Sequence, residues 1–273
     1  MIHNPSNAFA PCGRAGTAES VPSVGRVLLV DDSVDVRRLL GFYLRSTDAD
    51  VVEAENGRAA CDLAYAAQNQ RQDFDLILLD MEMPELDGHA AATLLRMQGF
   101  AGPIIALTAN DDAGERDRCL AGGCSEYLQK PVERDVLIDR VTRHLSTRVH
   151  RGAAVIPAAA DAGSAAVDAF LHQFLASLPE YVSRLQDLLR REATEQLAQT
   201  VHQIKGAAGM YGFDRIYDLA AKAEGVARSV AKQGSVAADG RRLRDEIGSL
   251  IGVINSACDG SRQTTREVGI ARG

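Results

Sequence analysis

Three aspartates stand where apolar runs end, and their type and spacing suit cation binding. Asp31 and Asp32 follow the run RVLLV, and Asp80 ends the run DLILLD. If both runs are parallel strands of one sheet, their carboxyl ends meet at one edge, where open α/β sheets bind ligands. Clustered carboxylates repel one another, which raises at least one pKa unless a cation lies between them. Oxygen ligands of this kind suit Mg²⁺, which keeps water ligands and accepts a phosphate oxygen.

Two further side chains extend this set toward phosphoryl transfer. Thr108 ends the run PIIALT with a hydroxyl, and Lys130 ends the run EYLQK with an ammonium group. Both groups can neutralise charge on a transferring phosphoryl group. The alternative is structural, because acidic and hydroxyl residues after strands often cap the next helix, as Ser33 or Asp32 could do here. The joint placement of Asp80, Thr108 and Lys130 at strand ends favours the functional interpretation.

His202 is a second candidate for phosphoryl chemistry because of its neighbours on a helix predicted over about 195–211. The apolar stripe of that helix leaves His202 beside it, directed outward from the helical core. Lys205 and Gly206 follow at three and four residues and therefore share its face. Lys205 can hydrogen-bond a phosphoryl group, while Gly206 and Gly209 leave room for a loop of a partner. A close helix crossing inside the bundle is the competing explanation for both glycines.

The elements that must position the aspartates form a regular alternation. Five short β-branched apolar runs alternate with amphipathic segments that have helical periodicity. Apolar runs this dense indicate strands covered on both faces, hence a five-stranded, doubly wound parallel sheet of the α/β class. The predicted strands are the runs at 26–30, 50–55, 75–80, 103–108 and 126–130.

The region that contains His202 has a different pattern. Apolar residues recur there at three and four positions without strand-like alternation, which predicts an all-α bundle of four or five helices. The internal signals for breaks are Pro179 and the glycines near 234 and 240. We therefore predict a disordered tail over 1–25, an α/β domain over 26–146, a linker over 147–163, a helical domain over 164–258 and a second tail over 259–273.

Composition excludes several classes of protein. The 273 residues carry 30 basic and 37 acidic side chains, a net charge of −7, which argues against binding nucleic acid through bulk charge. No uninterrupted apolar stretch is long enough for membrane insertion, and the first 25 residues lack the pattern of a secretory signal. The five scattered cysteines form no metal-binding or disulfide pattern. We expect a cytoplasmic protein with reduced thiols in or near its cores.

The first domain resembles the receiver domain of bacterial two-component response regulators. The resemblance rests on VLLVDDS, DLILLDMEMPELDG, ALTA and YLQKP, which occur in order between residues 27 and 131. It implies that Asp80 is the phospho-acceptor. It also implies that Asp32 binds Mg²⁺ directly, that Asp31 does so directly or through water, and that the backbone carbonyl of Glu82 supplies another ligand.

The same resemblance assigns the remaining residues of the pocket. Lys130 would pair with Asp80 or its phosphoryl group, and the Lys130–Pro131 peptide would be cis. Thr108 and Tyr127 would form the switch pair, in which the hydroxyl moves to the phosphoryl oxygen and the ring rotates into the vacated space.

The second domain resembles a histidine phosphotransfer (HPt) domain. The similarity rests on HQIKGAAGMYGF at 202–213, a shorter motif than the receiver set. It implies that His202 is the phosphorylated imidazole and that Lys205 and Gly206 are its functional neighbours.

Together the two sites predict a phosphorelay protein rather than a kinase, because nothing in the sequence resembles an ATP-binding domain. An upstream sensor histidine kinase would supply phosphate to Asp80, and His202 would exchange phosphate with a receiver aspartate, in a downstream response regulator or in the same chain. Within this class, the receiver could instead regulate access to His202. The alternative from another class is a binding scaffold that uses the receiver fold for docking without phosphorylation.

Overall fold

The first domain is a five-stranded parallel sheet with helices on both faces. The computed structural model describes residues 25–109, 113–149, 163–233 and 237–270. The strands are β1 (Arg26–Val30), β2 (Asp50–Ala54), β3 (Leu76–Asp80), β4 (Ile104–Thr108) and β5 (Glu126–Gln129). The helices between and after them are α1 (Val34–Arg45), α2 (Gly57–Asn69), α3 (Gly88–Met97), α4 (Ala113–Ala121) and α5 (Arg134–Val149). The predicted fold class is confirmed.

Strand order places the site residues at one edge of this sheet. The order is β2-β1-β3-β4-β5, so the direction of winding reverses between β1 and β3. Val30 pairs with Leu79 in parallel register, which brings Asp31 beside Asp80. Asp80 in turn pairs with Leu107, one residue before Thr108. The crevice at such a reversal is where parallel sheets bind ligands.

The second domain is a bundle of four helices within the described residues. They are α6 (Gly163–Arg190), α7 (Thr194–Met210), α8 (Asp214–Gln233) and α9 (Ala237–Ile270). The side chains that face the inside of this bundle are apolar, and α7 packs most extensively against α8. Of the four or five helices predicted for this bundle, the described residues contain four.

Pro179 does not break a helix, although the sequence marks it as a break signal. It lies inside α6, where its missing N–H leaves the carbonyl of Leu175 without the usual helical donor. The thiol of Cys258 on α9 approaches that carbonyl at 4.0 Å. Phe174, Leu178 and other fully buried side chains on either side anchor the helix through the proline.

The predicted domain boundaries differ from the ends of the helices. Helix α5 continues three residues beyond 146, and α9 continues to Ile270, so most of the predicted tail 259–273 is helical. Extending an existing helix adds one hydrogen bond per residue, and the residues after 258 contain no proline. Most of the predicted N-terminal tail and most of the linker lie outside the described residues.

The two domains pack directly against each other. Helix α1 contacts α6 and α7, and one continuous apolar core runs from the α1 and α5 face of the sheet into the bundle. The Phe42 and Phe170 rings meet edge to face across this contact, with centroids 5.5 Å apart. A second core lies on the opposite face of the sheet, under α2 and α3.

Two expectations from composition can be compared with these elements. Cys61, Cys119, Cys124 and Cys258 are free thiols and buried, as expected, while Cys12 lies outside the described residues. None of the helices in the described ranges is both long enough and apolar enough to span a bilayer.

Candidate functional site

The turn between β1 and α1 leaves the two adjacent aspartates available for other partners. Ser33 caps α1, with its hydroxyl accepting a hydrogen bond from the Val36 amide at 3.5 Å. Asp31 accepts a hydrogen bond from the Ser33 amide at 2.9 Å through Oδ1. Since Ser33 fills the capping role, the capping alternative does not account for Asp32.

Lys130 joins the carboxylates at the ends of β1 and β3. Its Nζ lies 2.6 Å from Oδ2 of Asp31 and 2.9 Å from Oδ2 of Asp80, and all three side chains are buried. The Lys130–Pro131 peptide is cis, as the resemblance implied. Burial opposes the charge on each group, but the two carboxylates raise the pKa of Lys130. Burial also raises the pKa of Asp80, yet Lys130 and His202 outweigh it and bring that pKa down to about 2.

The pocket retains an unsatisfied oxygen that suits a cation. Oδ1 of Asp32 is buried and has no hydrogen-bond partner among the described residues. Burial, together with the charges of Asp31 and Asp80, raises the pKa of Asp32 to about 6. Ligand atoms of Asp32, Asp80 and His202 lie within 4.8 Å of one another. The carboxylate oxygens fit a hard divalent cation such as Mg²⁺, which would relieve the repulsion that disfavours their charges.

The predicted switch residues lie next to this pocket. Thr108 ends β4 and is buried, one residue beyond the register partner of Asp80. Tyr127 on β5 is half-buried against the second core, and the guanidinium of Arg116 lies 5.6 Å from the centre of its ring. Their movement on phosphorylation stays a prediction.

His202 faces the pocket of the first domain and not solvent. It points away from its own bundle as the helical pattern predicted, but the sheet domain covers it and leaves it 5% exposed. Its Nε2 lies 3.9 Å from Oδ2 of Asp80, within ion-pair range and beyond hydrogen-bond length. Burial lowers the pKa of the imidazole, but the Asp80 and Glu224 carboxylates more than compensate and raise it to about 10.

Glu224 on α8 holds the other nitrogen of His202. Its Oε1 lies 2.8 Å from Nδ1 of His202, and its Oε2 lies 2.5 Å from Nζ of Lys205. Burial raises the pKa of Glu224, but His202 and Lys205 bring it down to about 2. A carboxylate on Nδ1 favours the tautomer with its proton there and leaves Nε2 toward Asp80. With the two domains docked, Lys205 therefore contacts Glu224, the acid that orients His202.

Arg228 links this acid to the first domain. Its guanidinium lies 2.6 Å from Glu224 and also forms an ion pair with the Glu82 side chain. Sequence reasoning identified neither Glu224 nor Arg228. A usable signal existed for Glu224, since it lies on the same face of α8 as the buried Ala220 and Ala227.

Further contacts between the domains surround the pocket. Gln203, next to His202, donates to Oδ2 of Asp32 at 3.0 Å and approaches its backbone oxygen at 3.3 Å. The hydroxyl groups of Tyr181 and Tyr211 each lie 3.3 Å from an oxygen of Asp35 on α1. These contacts join α6 and the end of α7 to α1 and hold α7 beside Asp32 at the end of β1.

The sequence left two explanations open for the glycines of α7, room for a partner and a close helix crossing inside the bundle, and the structure shows both kinds of contact. A Cβ at Gly206 would lie 3.6 Å from Val36 of the first domain, so this position faces the other domain closely. A Cβ at Gly209 would lie 3.0 Å from the Tyr217 ring of the bundle and 3.5 Å from Pro131. Gly209 therefore serves a tight helix crossing as well as the approach of the two domains.

A cleft of about 790 Å³ lies beside Asp32 and His202. Both domains line it, through residues that include Asp32, Glu82, Met83, Gln199, His202 and Arg228. This space reaches Asp32 and the His202 ring from one side.

Comparison with protein families agrees with both halves of this architecture. Residues 27–142 match the response regulator receiver domain, and residues 169–261 match the Hpt domain. The chain joins a receiver domain to an Hpt domain. A receiver domain followed by an Hpt domain makes the chain a phosphorelay protein.

Individual relatives share one or both domains. The signal transduction histidine-protein kinase BarA of Escherichia coli (strain K12) is 28% identical over 272 residues, covering 92% of this chain and 28% of BarA. The transcriptional regulatory protein SrrA of Staphylococcus aureus is 36% identical over 115 residues, covering 42% of this chain and 45% of SrrA. The chain thus spans less than half the length of these relatives.

A solved structure resembles the receiver domain alone. The receiver domain of the sensor histidine kinase PA1611 from Pseudomonas aeruginosa PAO1 has 35% sequence identity and a TM-score of 0.41, and the match covers 45% of this chain and 98% of that one. That structure was described with a magnesium ion coordinated in its active-site cleft.

Proposed function

We propose that the chain relays a phosphoryl group between Asp80 and His202 of the same molecule. The observation that carries this proposal is the 3.9 Å separation of His202 Nε2 and Asp80 Oδ2. Phosphoryl transfer depends mainly on positioning and charge neutralisation, and the docked domains supply both. An upstream sensor histidine kinase would supply the phosphate, and a downstream response regulator would receive it through its receiver domain.

The acidic residues and Lys130 of the receiver pocket each have a role in this proposal. Asp80 accepts the phosphoryl group, and Asp31, Asp32 and the backbone carbonyl of Glu82 would hold Mg²⁺ with it. When bound, the cation neutralises charge on the phosphoryl oxygens. Lys130, already in contact with Asp80, neutralises charge on the carboxylate that is released.

The Hpt residues support the reaction at the imidazole. Nε2 of His202 forms the new bond to phosphorus, the bond from phosphorus to the Asp80 oxygen breaks, and Asp80 is released as a carboxylate. The ring keeps its proton on Nδ1, and this N–H donates a hydrogen bond to Glu224 at 2.8 Å. The Glu224 carboxylate thereby stabilises the cationic ring of the phosphohistidine. The Asp80 and Glu224 carboxylates raise the pKa of the ring, and the form that attacks is the neutral one, which carries its single proton on Nδ1 and a lone pair on Nε2.

Phosphorylation with a small donor tests the chemistry. Wild type, Asp80→Asn and His202→Gln are incubated with Mg²⁺ and acetyl phosphate, and the label is assigned by intact mass, peptide mapping and acid or base lability. We expect an acyl phosphate at Asp80 in wild type and His202→Gln, a phosphoimidazole at His202 in wild type, and neither in Asp80→Asn. A folded wild-type protein that takes up no phosphate would favour the scaffold alternative.

Mixing the two variants tests whether transfer is intramolecular. His202→Gln carries the label on Asp80 and Asp80→Asn offers an intact His202, so label can reach a histidine only between molecules. We expect transfer in wild type at a rate independent of protein concentration, and much slower transfer in the mixture. Equal rates in both samples at micromolar protein would refute transfer within one chain.

The burial of His202 favours a second candidate function. With 5% of its surface exposed, His202 is shielded from external proteins while the domains are docked. The receiver could therefore act as a cover that uncovers His202 when Asp80 is phosphorylated. This function predicts that an external receiver obtains phosphate from His202 faster after Asp80 is phosphorylated, with no label passing between the two residues.

A further inference from the structure

The metal-binding edge of the receiver includes a side chain from the other domain. Gln203 on α7 donates to Oδ2 of Asp32 at 3.0 Å and lies 3.3 Å from its backbone oxygen. Among the described residues, Gln203 is the only side chain that donates a hydrogen bond to Asp32. One oxygen of this carboxylate is therefore held by the Hpt domain.

The other oxygen of Asp32 is the one left for a ligand. Oδ1 is buried without a hydrogen-bond partner in the described structure. A contact to Oδ2 restricts rotation of the carboxylate and so holds Oδ1 in a fixed direction, and one oxygen of Asp32 lies within 4.8 Å of an oxygen of Asp80. Partners of this kind, which orient a ligating group without touching the metal, strongly affect metal affinity.

We propose that Gln203 is a positioning residue of the Mg²⁺ site and that it couples Mg²⁺ binding to docking of the Hpt domain. When the domains separate, Asp32 loses this donor and its fixed orientation. Mg²⁺ therefore binds the docked form more tightly, and by linkage it favours docking by the same factor. The cation then serves two purposes, since it assists the chemistry and also holds the receiver and Hpt domains in the arrangement that permits transfer.

This inference rests on the proposed function only for the assignment of Asp32 as a Mg²⁺ ligand. It requires no phosphoryl transfer, so binding of Mg²⁺ to the unphosphorylated chain can test it. A full-length protein that binds Mg²⁺ as expected but moves no phosphate to His202 would refute the relay and leave the role of Gln203 intact.

Isothermal titration of Mg²⁺ into the full chain measures the effect directly. We compare wild type with Gln203→Ala and with Gln199→Ala as a matched control, because Gln199 lies one turn earlier on α7 and lines the cleft beside Asp32. Gln203→Ala should raise the Kd for Mg²⁺ by about tenfold or more, as is typical when an outer partner of a ligand is removed. Gln199→Ala should change it by less than about twofold, and thermal melts without Mg²⁺ should show that all three proteins are folded.

A second variant separates docking from the local hydrogen bond. Phe170→Asp disturbs the ring contact with Phe42, away from the metal-binding edge. It should also weaken Mg²⁺ binding, and adding Gln203→Ala to it should cost less than the same change costs in wild type, because coupled changes are not additive.

Four results would overturn the inference. The first is an unchanged Kd in Gln203→Ala, and the second is an equal loss in Gln199→Ala. The third is full additivity of Phe170→Asp and Gln203→Ala, which would show that Gln203 acts on Asp32 without regard to docking. A folded wild-type protein that fails to bind Mg²⁺ at millimolar concentration would overturn it as well.

Discussion

Replacing Glu224 with glutamine should shift the distribution of phosphate between the two sites. Glutamine retains an oxygen that can accept from Nδ1 of His202 but removes the negative charge that lies 2.8 Å from that nitrogen. Charge-assisted hydrogen bonds contribute about 1.5–3 kcal/mol and neutral ones about 0.5–1.5 kcal/mol, so the change costs roughly 1–1.5 kcal/mol. Transfer converts the neutral ring that attacks into a cationic phosphohistidine, so the cost falls on the product. The equilibrium share of label on His202 should therefore fall by about 5- to 12-fold relative to Asp80.

The assay uses protein labelled through acetyl phosphate and freed of donor. Label on His202 and on Asp80 is separated by acid and base lability after equilibrium is reached. Glu180→Gln is the control, because Glu180 is an exposed acid on α6 in the same domain. A ratio within twofold of wild type in Glu224→Gln would refute the argument that Glu224 stabilises the charged ring.

Four further expectations follow from the same contacts. Arg228→Glu should slow phosphoryl transfer by about fivefold, which corresponds to losing roughly 1 kcal/mol from a partly exposed ion pair. Adding Glu82→Arg to that variant should partly restore the transfer rate, which rapid-quench assays measure. Because the pKa of Glu224 is lowered from 4.5 to about 2, its charge contributes stability above pH 4.5 that is lost toward pH 2; the difference in Tm between wild type and Glu224→Gln should shrink over that range. Phe174→Ala should lower the free energy of unfolding in urea by about 3–5 kcal/mol, since the ring is fully buried against Tyr211. EDTA should abolish phosphorylation of Asp80 and leave the circular dichroism spectrum unchanged.

The sequence was informative about each domain because local patterns determine each one. Dense apolar runs predicted buried parallel strands, and parallel strands bring their carboxyl ends to one edge, so the meeting of Asp31, Asp80 and Lys130 could be anticipated. Pro179 was misleading because its cost is offset by packing from α9, which a local pattern does not contain. The extension of α9 past 258 was missed for a related reason, since polar composition alone suggested a tail.

The contacts between helices and between domains could not be predicted in the same way. Glu224 reaches His202 because α7 and α8 pack closely in one particular register, and spacing along one helix does not reveal that register. Gln203 and Arg228 acquire their partners only when the second domain lies across the first. The same docking explains why His202 is buried although its own helix directs it outward.

The apolar core shared by both domains makes the strength of their docking depend on temperature. Separation of α6 from α1 exposes aromatic surface, including the Phe42 and Phe170 rings, to water. Contacts of this type weaken on cooling, because the hydration of apolar surface becomes less unfavourable at low temperature. The form in which α6 has separated from α1 should therefore be more populated in the cold. The rate of phosphate exchange with other proteins should then rise relative to the rate of transfer within the chain.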